Sequence, residues 1–359
     1  MPWLDWLRFG AAFMVLLAHV RVRVFAEYGA LDPASQGYFA QALFATTRLG
    51  HESVLVFFVL SGFLVGGRAT ERALAGRFRW ADYAVDRVSR IVVPLLPAVG
   101  FTVAAMALQG TPPSLGYVLG NLLQVQGLAV PTLTANGPLW SLPYEVWFYV
   151  ACGALMVLFE ARGLAAGVAA AAFGVAAVIL VLLEPVYLIC WCLGAGAYHL
   201  RRSRLDRGEI VFALLLVALG VVISQLAAGS RSLDLNVAGE DGQRGGALIL
   251  CLGISLLIRN LSAASVAIPR FDALGGLLAE FSYTLYLFHY PLLFLLAAYG
   301  LQQQTRVGPA ELAVAAGLTA GCMAFSYVAY LLFEKHTSVV RRAIKSKLMP
   351  KPAPASAQA

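Results

Sequence analysis

Ten apolar runs recur along this chain, at about 5–24, 53–67, 90–108, 139–159, 164–182, 185–200, 209–227, 245–259, 280–299 and 311–333. Inside a bilayer such a run satisfies its own backbone only as a helix, because hydrocarbon offers no partner to an open N–H or C=O. The fold class that follows is all-α: a polytopic membrane protein of about ten transmembrane helices enclosing a central cavity. Composition agrees. Of the 359 residues, 60% are hydrophobic and 13% charged, too little charge to cover a soluble domain of this size. The mean hydropathy is +0.76. The second, sixth and eighth runs are short and are expected to tilt or to span incompletely. The stretch "LGYVLGNLLQV" (115–125) is apolar but too short to cross, and is expected at the interface or as a re-entrant segment. The first run lacks a basic leader and a small-residue cleavage site, so no cleavable signal is expected. Cys152, Cys190, Cys192, Cys251 and Cys322 all lie in apolar runs and read as packing residues, with no disulfide and no metal site.

The net charge of +7 raises nucleic acid as a partner, but the distribution of the charge fits membrane topology instead. An even number of spans puts both termini on one side. With that side cytoplasmic, the inner segments hold 20 of the 26 Lys and Arg, including Arg68, Arg72, Arg77 and Arg79 in one loop and Arg201, Arg202, Arg204 and Arg207 in another. Arg21, Arg23, Arg48, Arg231, Arg244 and Arg306 remain outside. This positive-inside bias predicts a multi-pass protein of the cell (inner or plasma) membrane with both termini cytoplasmic. No linker leads to a second domain. Residues 1–335 read as one transmembrane domain and 336–359 as a basic, Pro/Ala-rich cytoplasmic tail, with "MPKPAPASAQA" expected to be disordered.

Polar groups inside these runs need a reason, since an ionisable side chain at the bilayer centre costs about 2.5–3.5 kcal/mol. Arg8 and His19 are eleven residues apart, which on a helix places them within about 20° of one face and about 16 Å apart along the axis. Arg8 falls at the cytoplasmic end and His19 in the outer half. The alternatives are an Arg8 that snorkels beside Asp5 and a hydrogen-bonded structural His19. "NGPLWSLPYEVWFYV" (136–150) carries Glu145 about two turns into its helix, at the depth of His19. A carboxylate level with a histidine suggests a general-base pair, in which Glu145 orients the ring and stabilises imidazolium. The alternative is a Glu that caps irregular backbone near Pro143.

In "VFFVLSGFLVGG" (56–67), Ser61 and Gly62 interrupt an apolar run, a pattern of close helix packing or local unwinding beside a ligand. "FSYTLYLFHYPLL" (281–293) puts Ser282, Tyr286 and His289 on one helix face, with a kink expected at Pro291. In "DYAVDRVSRIVVP" (82–94), Arg87 and Arg90 stand three apart as the third helix begins. Guanidiniums suit phosphate through bidentate hydrogen bonds; ordinary inner-surface charge is the alternative, and is preferred for Arg68 to Arg79.

Taken in order, "LDWLRFGAAFMVLLAHV", "FFVLSGFLV", "RVSRIVVP", "WSLPYEVWFY" and "SYTLYLFHYPL" resemble the signatures of the membrane-bound acyltransferase 3 family, the sugar O-acyltransferase type without an appended extracytoplasmic domain. The likeness runs from residue 4 to about 335. It implies ten helices around a site where an acyl group, most often acetyl, passes from cytoplasmic acetyl-CoA or another acyl-CoA to a hydroxyl of a carbohydrate or lipid-linked sugar. It implies His19 and Glu145 as catalytic, Arg8, Arg87 and Arg90 at the coenzyme, and Ser61, Ser282, Tyr286 and His289 as substrate or structural support. The chain departs from the family at Trp6, where many members have Gly, at Leu55, where many have an acidic residue, and at Glu334-Lys335-His336, where the family often has Glu-basic-Pro. Expected partners are acyl-CoA, the sugar acceptor and membrane lipids, with no nucleic acid and no metal. A proton-coupled secondary transporter using buried His19 and Glu145 is the rival reading, and a non-catalytic membrane subunit a further one. No internal repeat of the kind transporters carry is evident.

Overall fold

The computed structural model describes residues 1–227, 239–263 and 269–348. Arg231 and the "MPKPAPASAQA" segment lie outside the described residues. Helices account for the described chain, and the only strand-like pairing in it is two isolated bridges, Phe25 with Gln304 and Gln126 with Val130. The first half contains α1 (Pro2–Val24), α2 (Tyr38–Thr47), α3 (Gly50–Ser61), a π-helical turn (Gly62–Gly66), α4 (Gly67–Leu74), α5 (Trp80–Leu108), α6 (Leu115–Leu122) and α7 (Leu142–Glu160). The second contains α8 (Leu164–Leu183), α9 (Val186–His199), α10 (Arg207–Ala227), α11 (Gly239–Leu261), α12 (Pro269–Glu280), α13 (Ser282–Ala298), α14 (Pro309–Leu332) and α15 (Thr337–Leu348).

Each of the ten apolar runs is helical, and among the described residues seven helical segments are long and apolar enough to cross a membrane, eight if α12 and α13 form one bent span. The fold is a polytopic all-α membrane protein. The two runs that fall short do so for opposite reasons. Helix α9 is apolar but only 14 residues long. Helix α1 is 23 residues long but carries Asp5, Arg8, His19, Arg21 and Arg23, so its apolar character is diluted by the residues that make it interesting. The second run proves longer than expected, because α2, α3 and α4 continue one another from Tyr38 to Leu74. The short segment after α5 does not span: α6 has 8 residues, Ser114 accepts a hydrogen bond from the Tyr117 N–H at its start, and the chain leaves it through Gln124 at φ 60°.

Three boundaries differ from the sequence reading. Helix α5 starts at Trp80, so Arg87 and Arg90 sit two turns inside it rather than at its beginning. Helix α7 starts at Leu142, after a 3-10 stretch, Thr134–Ser141, in which Asn136 leaves helical geometry and Pro138 removes a donor; Glu145 therefore lies in the first turn of α7. The helix runs on through Pro291, and the sharp bend falls instead at Phe281, where α12 and α13 meet at 51°. The first part of the tail is ordered as α15, whose Lys345 pairs with Asp82 at 3.0 Å and Asp86 at 2.8 Å on α5. All five cysteines are free, four of them buried and Cys192 exposed.

Close approach of α3 and α9 fixes the centre of the bundle. A Cβ on Gly62 would collide with the Trp191 carbonyl oxygen, and one on Gly194 with the Val59 carbonyl oxygen. Two glycines thus let two backbones touch, as small residues do in membrane helix pairs. The π-turn begins where this contact occurs, and it aims Ser61 at Trp191, whose indole Nε1 donates to the Ser61 Oγ at 3.2 Å. At the other edge Trp6 stacks on Phe271 at 4.3 Å and donates to its carbonyl, which docks α1 on α12.

This packing has a direct test. Gly62→Ala and Gly194→Ala should each lower stability by about 1–3 kcal/mol, the cost of overpacking, read as thermal unfolding of the detergent-solubilised protein. Gly196→Ala on the same α9 meets nothing within 4 Å and should stay within about 0.5 kcal/mol of the parent.

Candidate active site

Four guanidiniums converge on one cavity. It has a volume of about 280 Å³ and is lined by Arg8 from α1, Phe57 and Ser61 from α3, Arg68 from α4, Arg87 and Arg90 from α5, Glu145 and Tyr149 from α7, and Ser282, Tyr283 and Tyr286 from α13. A second cavity of about 200 Å³ shares Arg8 and Arg68 with it and adds Asp5, Tyr198 and Arg201. Arg8, Ser61, Arg87, Arg90, Glu145, Ser282 and Tyr286, scattered over five helices, are thereby brought to one place.

The arginines are held differently. Arg90 pairs with Glu334 at 2.5 Å and lies over the Tyr283 ring. Glu334 is 4% exposed, and its other oxygen accepts from the Thr284 N–H at 3.1 Å and the Thr284 hydroxyl at 2.5 Å. One carboxylate thus ties α5 and α13 to the end of α14. Arg87 lies over the Tyr149 ring at 5.6 Å. Among the described residues neither Arg8 nor Arg87 forms an ion pair. Both guanidiniums are left to whatever anion enters the cavity.

Glu145 stands at the end of a relay of donors. The Trp191 N–H donates to Ser61, Ser61 donates to the Tyr149 hydroxyl at 3.3 Å, and the Tyr149 hydroxyl donates to Glu145 Oε1. Tyr149 is one helical turn beyond Glu145, an i, i+4 neighbour on α7.

His19 does not line this cavity, and its ring is not paired with Glu145. Its Nδ1 lies 2.9 Å from His289 Nε2, and the two rings stack with centroids 5.1 Å apart. Tyr290 packs edge-on against His19 at 5.0 Å. His289 is fully buried, while His19 is partly exposed. The His19–Glu145 contact expected from matching depths is thus replaced by a His19–His289 contact. The late start of α7 leaves Glu145 in its first turn, on the cavity wall, and α13 occupies the place beside His19. Tyr286 links the two regions: it lines the arginine cavity, and its ring lies 6.2 Å from His289. Its hydroxyl sits 2.7 Å from both Ser141 and the Pro138 carbonyl.

Sequence reasoning passed over several of these residues. Arg68 reads in the sequence as ordinary inner-surface charge, yet it lines both cavities. Glu334 figured only as part of a departure from the family pattern, yet it is the buried partner of Arg90. Tyr149 was legible as the aromatic one turn after Glu145. Tyr283 offered no signal beyond its place next to Ser282. Among the described residues no cluster of His, Cys, Asp and Glu could hold a metal ion.

A family model described as an acyltransferase domain matches residues 1–331, and the chain belongs to that family. The acyltransferase MdmB of Streptomyces mycarofaciens is 32% identical over 158 residues, 42% of this chain and 38% of that protein. The match therefore spans well under half of that relative's length. No solved structure matches the chain significantly.

The Arg90–Glu334 pair should be separable from the rest of the cavity. Glu334→Ala strips the Thr284 N–H and Arg90 of their acceptor and should cost about 1–3 kcal/mol of stability. Adding Arg90→Ala should cost less than the sum of the two single changes. Thermal unfolding of both single variants and the double measures the coupling; strict additivity would show the contact to be inert.

Proposed function

We propose that this member of the acyltransferase family moves an acyl group, acetyl by first preference, from a cytoplasmic acyl-CoA to a hydroxyl of a carbohydrate or lipid-linked sugar acceptor. The observation that carries the reading is the cavity of four guanidiniums, three of them without a carboxylate partner among the described residues. Coenzyme A is a polyanion, and Arg presents a planar fork of donors matched to phosphate oxygens. Arg8 and Arg87 hold the phosphates. Arg90, steadied by Glu334, sets the positive field around them. The Tyr283 hydroxyl, buried on the same wall without a hydrogen-bond partner among the described residues, is a donor still to be used.

The chemistry balances with the groups at hand. Nε2 of His19 takes the proton of the acceptor hydroxyl as that oxygen attacks the thioester carbonyl. The C–O bond forms, the C–S bond breaks, and the departing thiolate takes up the proton that His19 received, which gives free coenzyme and returns the neutral imidazole. The length of α1 supports this division of labour: eleven residues of continuous helix separate Arg8 from His19, about 16 Å, comparable to a pantetheine arm. Glu145, on the cavity wall rather than against His19, belongs to the donor end. The basic residues of the inner loops support a multi-pass protein of the cell membrane with both termini cytoplasmic, which delivers acyl-CoA to the arginine side.

The test uses purified protein in lipid nanodiscs, ¹⁴C-acetyl-CoA, and an extract of the expressing cells as the acceptor source. His19→Ala should reduce labelled product by at least about 10²–10⁴-fold, the worth of a general base, while acetyl-CoA binding stays intact. Arg87→Ala should weaken acetyl-CoA binding about 10- to 100-fold through the loss of charge-assisted hydrogen bonds, and Arg87→Lys should restore part of it. Wild-type transfer by a stably inserted His19→Ala protein would refute the base. Unchanged acetyl-CoA affinity in Arg87→Ala would make that arginine ordinary inner-surface charge.

A further inference from the structure

From the hydrogen bonds around His289 we infer that this residue is the positioning partner of His19, and that it fixes which nitrogen of His19 acts. The inference rests on His19 being the base, as proposed above, and it assigns His289 a role that the motif alone left open. The argument is one of donors and acceptors. His289 Nδ1 lies 2.7 Å from the Leu285 carbonyl oxygen, one turn back on α13. A carbonyl only accepts, so Nδ1 of His289 carries the proton. A neutral imidazole has one N–H, so Nε2 of His289 is a lone-pair acceptor. The atom facing it at 2.9 Å is Nδ1 of His19, which must therefore donate. Nδ1 of His19 holds the proton, and Nε2 of His19 keeps the lone pair.

Burial makes the arrangement one-directional. His289 is fully buried and belongs wholly to the bundle, while His19 is partly exposed; His19 is the ring that a hydroxyl reaches. When its Nε2 takes a proton, the Nδ1–H···Nε2 bond to His289 becomes charge-assisted and shortens. A carboxylate fills this place in many histidine-dependent sites. Here a neutral, buried imidazole does so, anchored through its own N–H to the backbone. The anchor also sets ring orientation: Tyr290, next in sequence to His289, closes on the edge of His19 at 5.0 Å.

Two measurements test the assignment. The first needs no variant. The chain has five histidines, so ¹⁵N-histidine labelling in nanodiscs, with His19→Ala for assignment, gives a resolvable set of ring nitrogens. The expected result is a protonated Nδ1 and an unprotonated Nε2 for His19; an Nε2–H tautomer overturns the proposal. The second is kinetic. His289→Leu removes the acceptor and should lower the maximal rate of acetyl transfer from acetyl-CoA about 10- to 100-fold, as losing a ring-orienting partner does elsewhere, with half-saturation by acetyl-CoA unchanged. His289→Gln, whose side-chain oxygen can occupy the place of Nε2, should recover most of that loss. A fully active His289→Leu protein, or a Gln variant no better than Leu, overturns it. Failure of the base reading itself looks different: His19→Ala would then retain transfer, whatever tautomer the wild-type ring adopts.

Discussion

Positive charge concentrated inside an apolar bundle is the condition that the rest of the architecture answers. Arg8, Arg68, Arg87 and Arg90 face one cavity whose lining includes a single carboxylate, Glu145. Like charges repel, and a guanidinium withdrawn from water gives up hydration that the protein must replace. Part of the replacement is Glu334, which is spent on Arg90 and Thr284. Another part is aromatic: Tyr149 under Arg87 and Tyr283 under Arg90 offer ring faces to the cations, a contribution that grows as water is excluded. What these leave uncompensated is a field suited to an anion with several phosphate oxygens. The four arginines come from three helices, α1, α4 and α5, since no single helix can place four arginines at one spot without stacking them on each other.

The features legible in the sequence are those that one helix determines. Arg8 and His19 share a face because eleven residues nearly close whole turns, and both lie on the unbroken α1. Ser282, Tyr286 and His289 were placed on one face for the same reason. What failed was register between helices. The depth of Glu145 was counted from a helix starting at 139, but Pro138 and the non-helical Asn136 delay α7 to Leu142, and the contact with His19 went to α13. Arg90 finds its carboxylate 244 residues away, a distance at which periodicity says nothing. The π-turn at Gly62 was equally out of reach. It exists because Gly62 and Gly194 let α3 and α9 touch, and the second glycine belongs to a run with no polar signal of its own.

The two polar regions are mounted on the same pair of helices. Helix α1 carries Arg8 to one and His19 to the other; α13 carries Ser282 and Tyr283 to the first and His289 to the second, with Tyr286 between. A shift of either helix moves both regions together, so the separation of Arg8 from the histidine pair is set by helix rise rather than by loop conformation. A site built on helices holds its spacing more tightly than one built on loops. It also explains why polar residues were kept in α1 at the cost of its hydropathy.

Hydrogen accounting separates the residues that hold from the residues that remain available. The Tyr286 hydroxyl has one proton. It goes to the Pro138 carbonyl at 2.7 Å or to Ser141 at 2.7 Å, whose own hydroxyl proton then reaches the same carbonyl at 3.3 Å. In either arrangement the hydroxyl proton is committed, which makes Tyr286 a fixed part of the lining rather than a proton donor. The relay through α7 ends differently. Trp191, Ser61 and Tyr149 each give one proton toward the next member, and the last arrives at Glu145 Oε1. Glu145 Oε2 has no hydrogen bond among the described residues. One carboxylate oxygen accepts from Tyr149, the last member of that relay, and Glu145 lines the arginine cavity. The same count leaves one oxygen of Glu145 open on the arginine cavity, while the polar atom that meets the His19 ring belongs to His289.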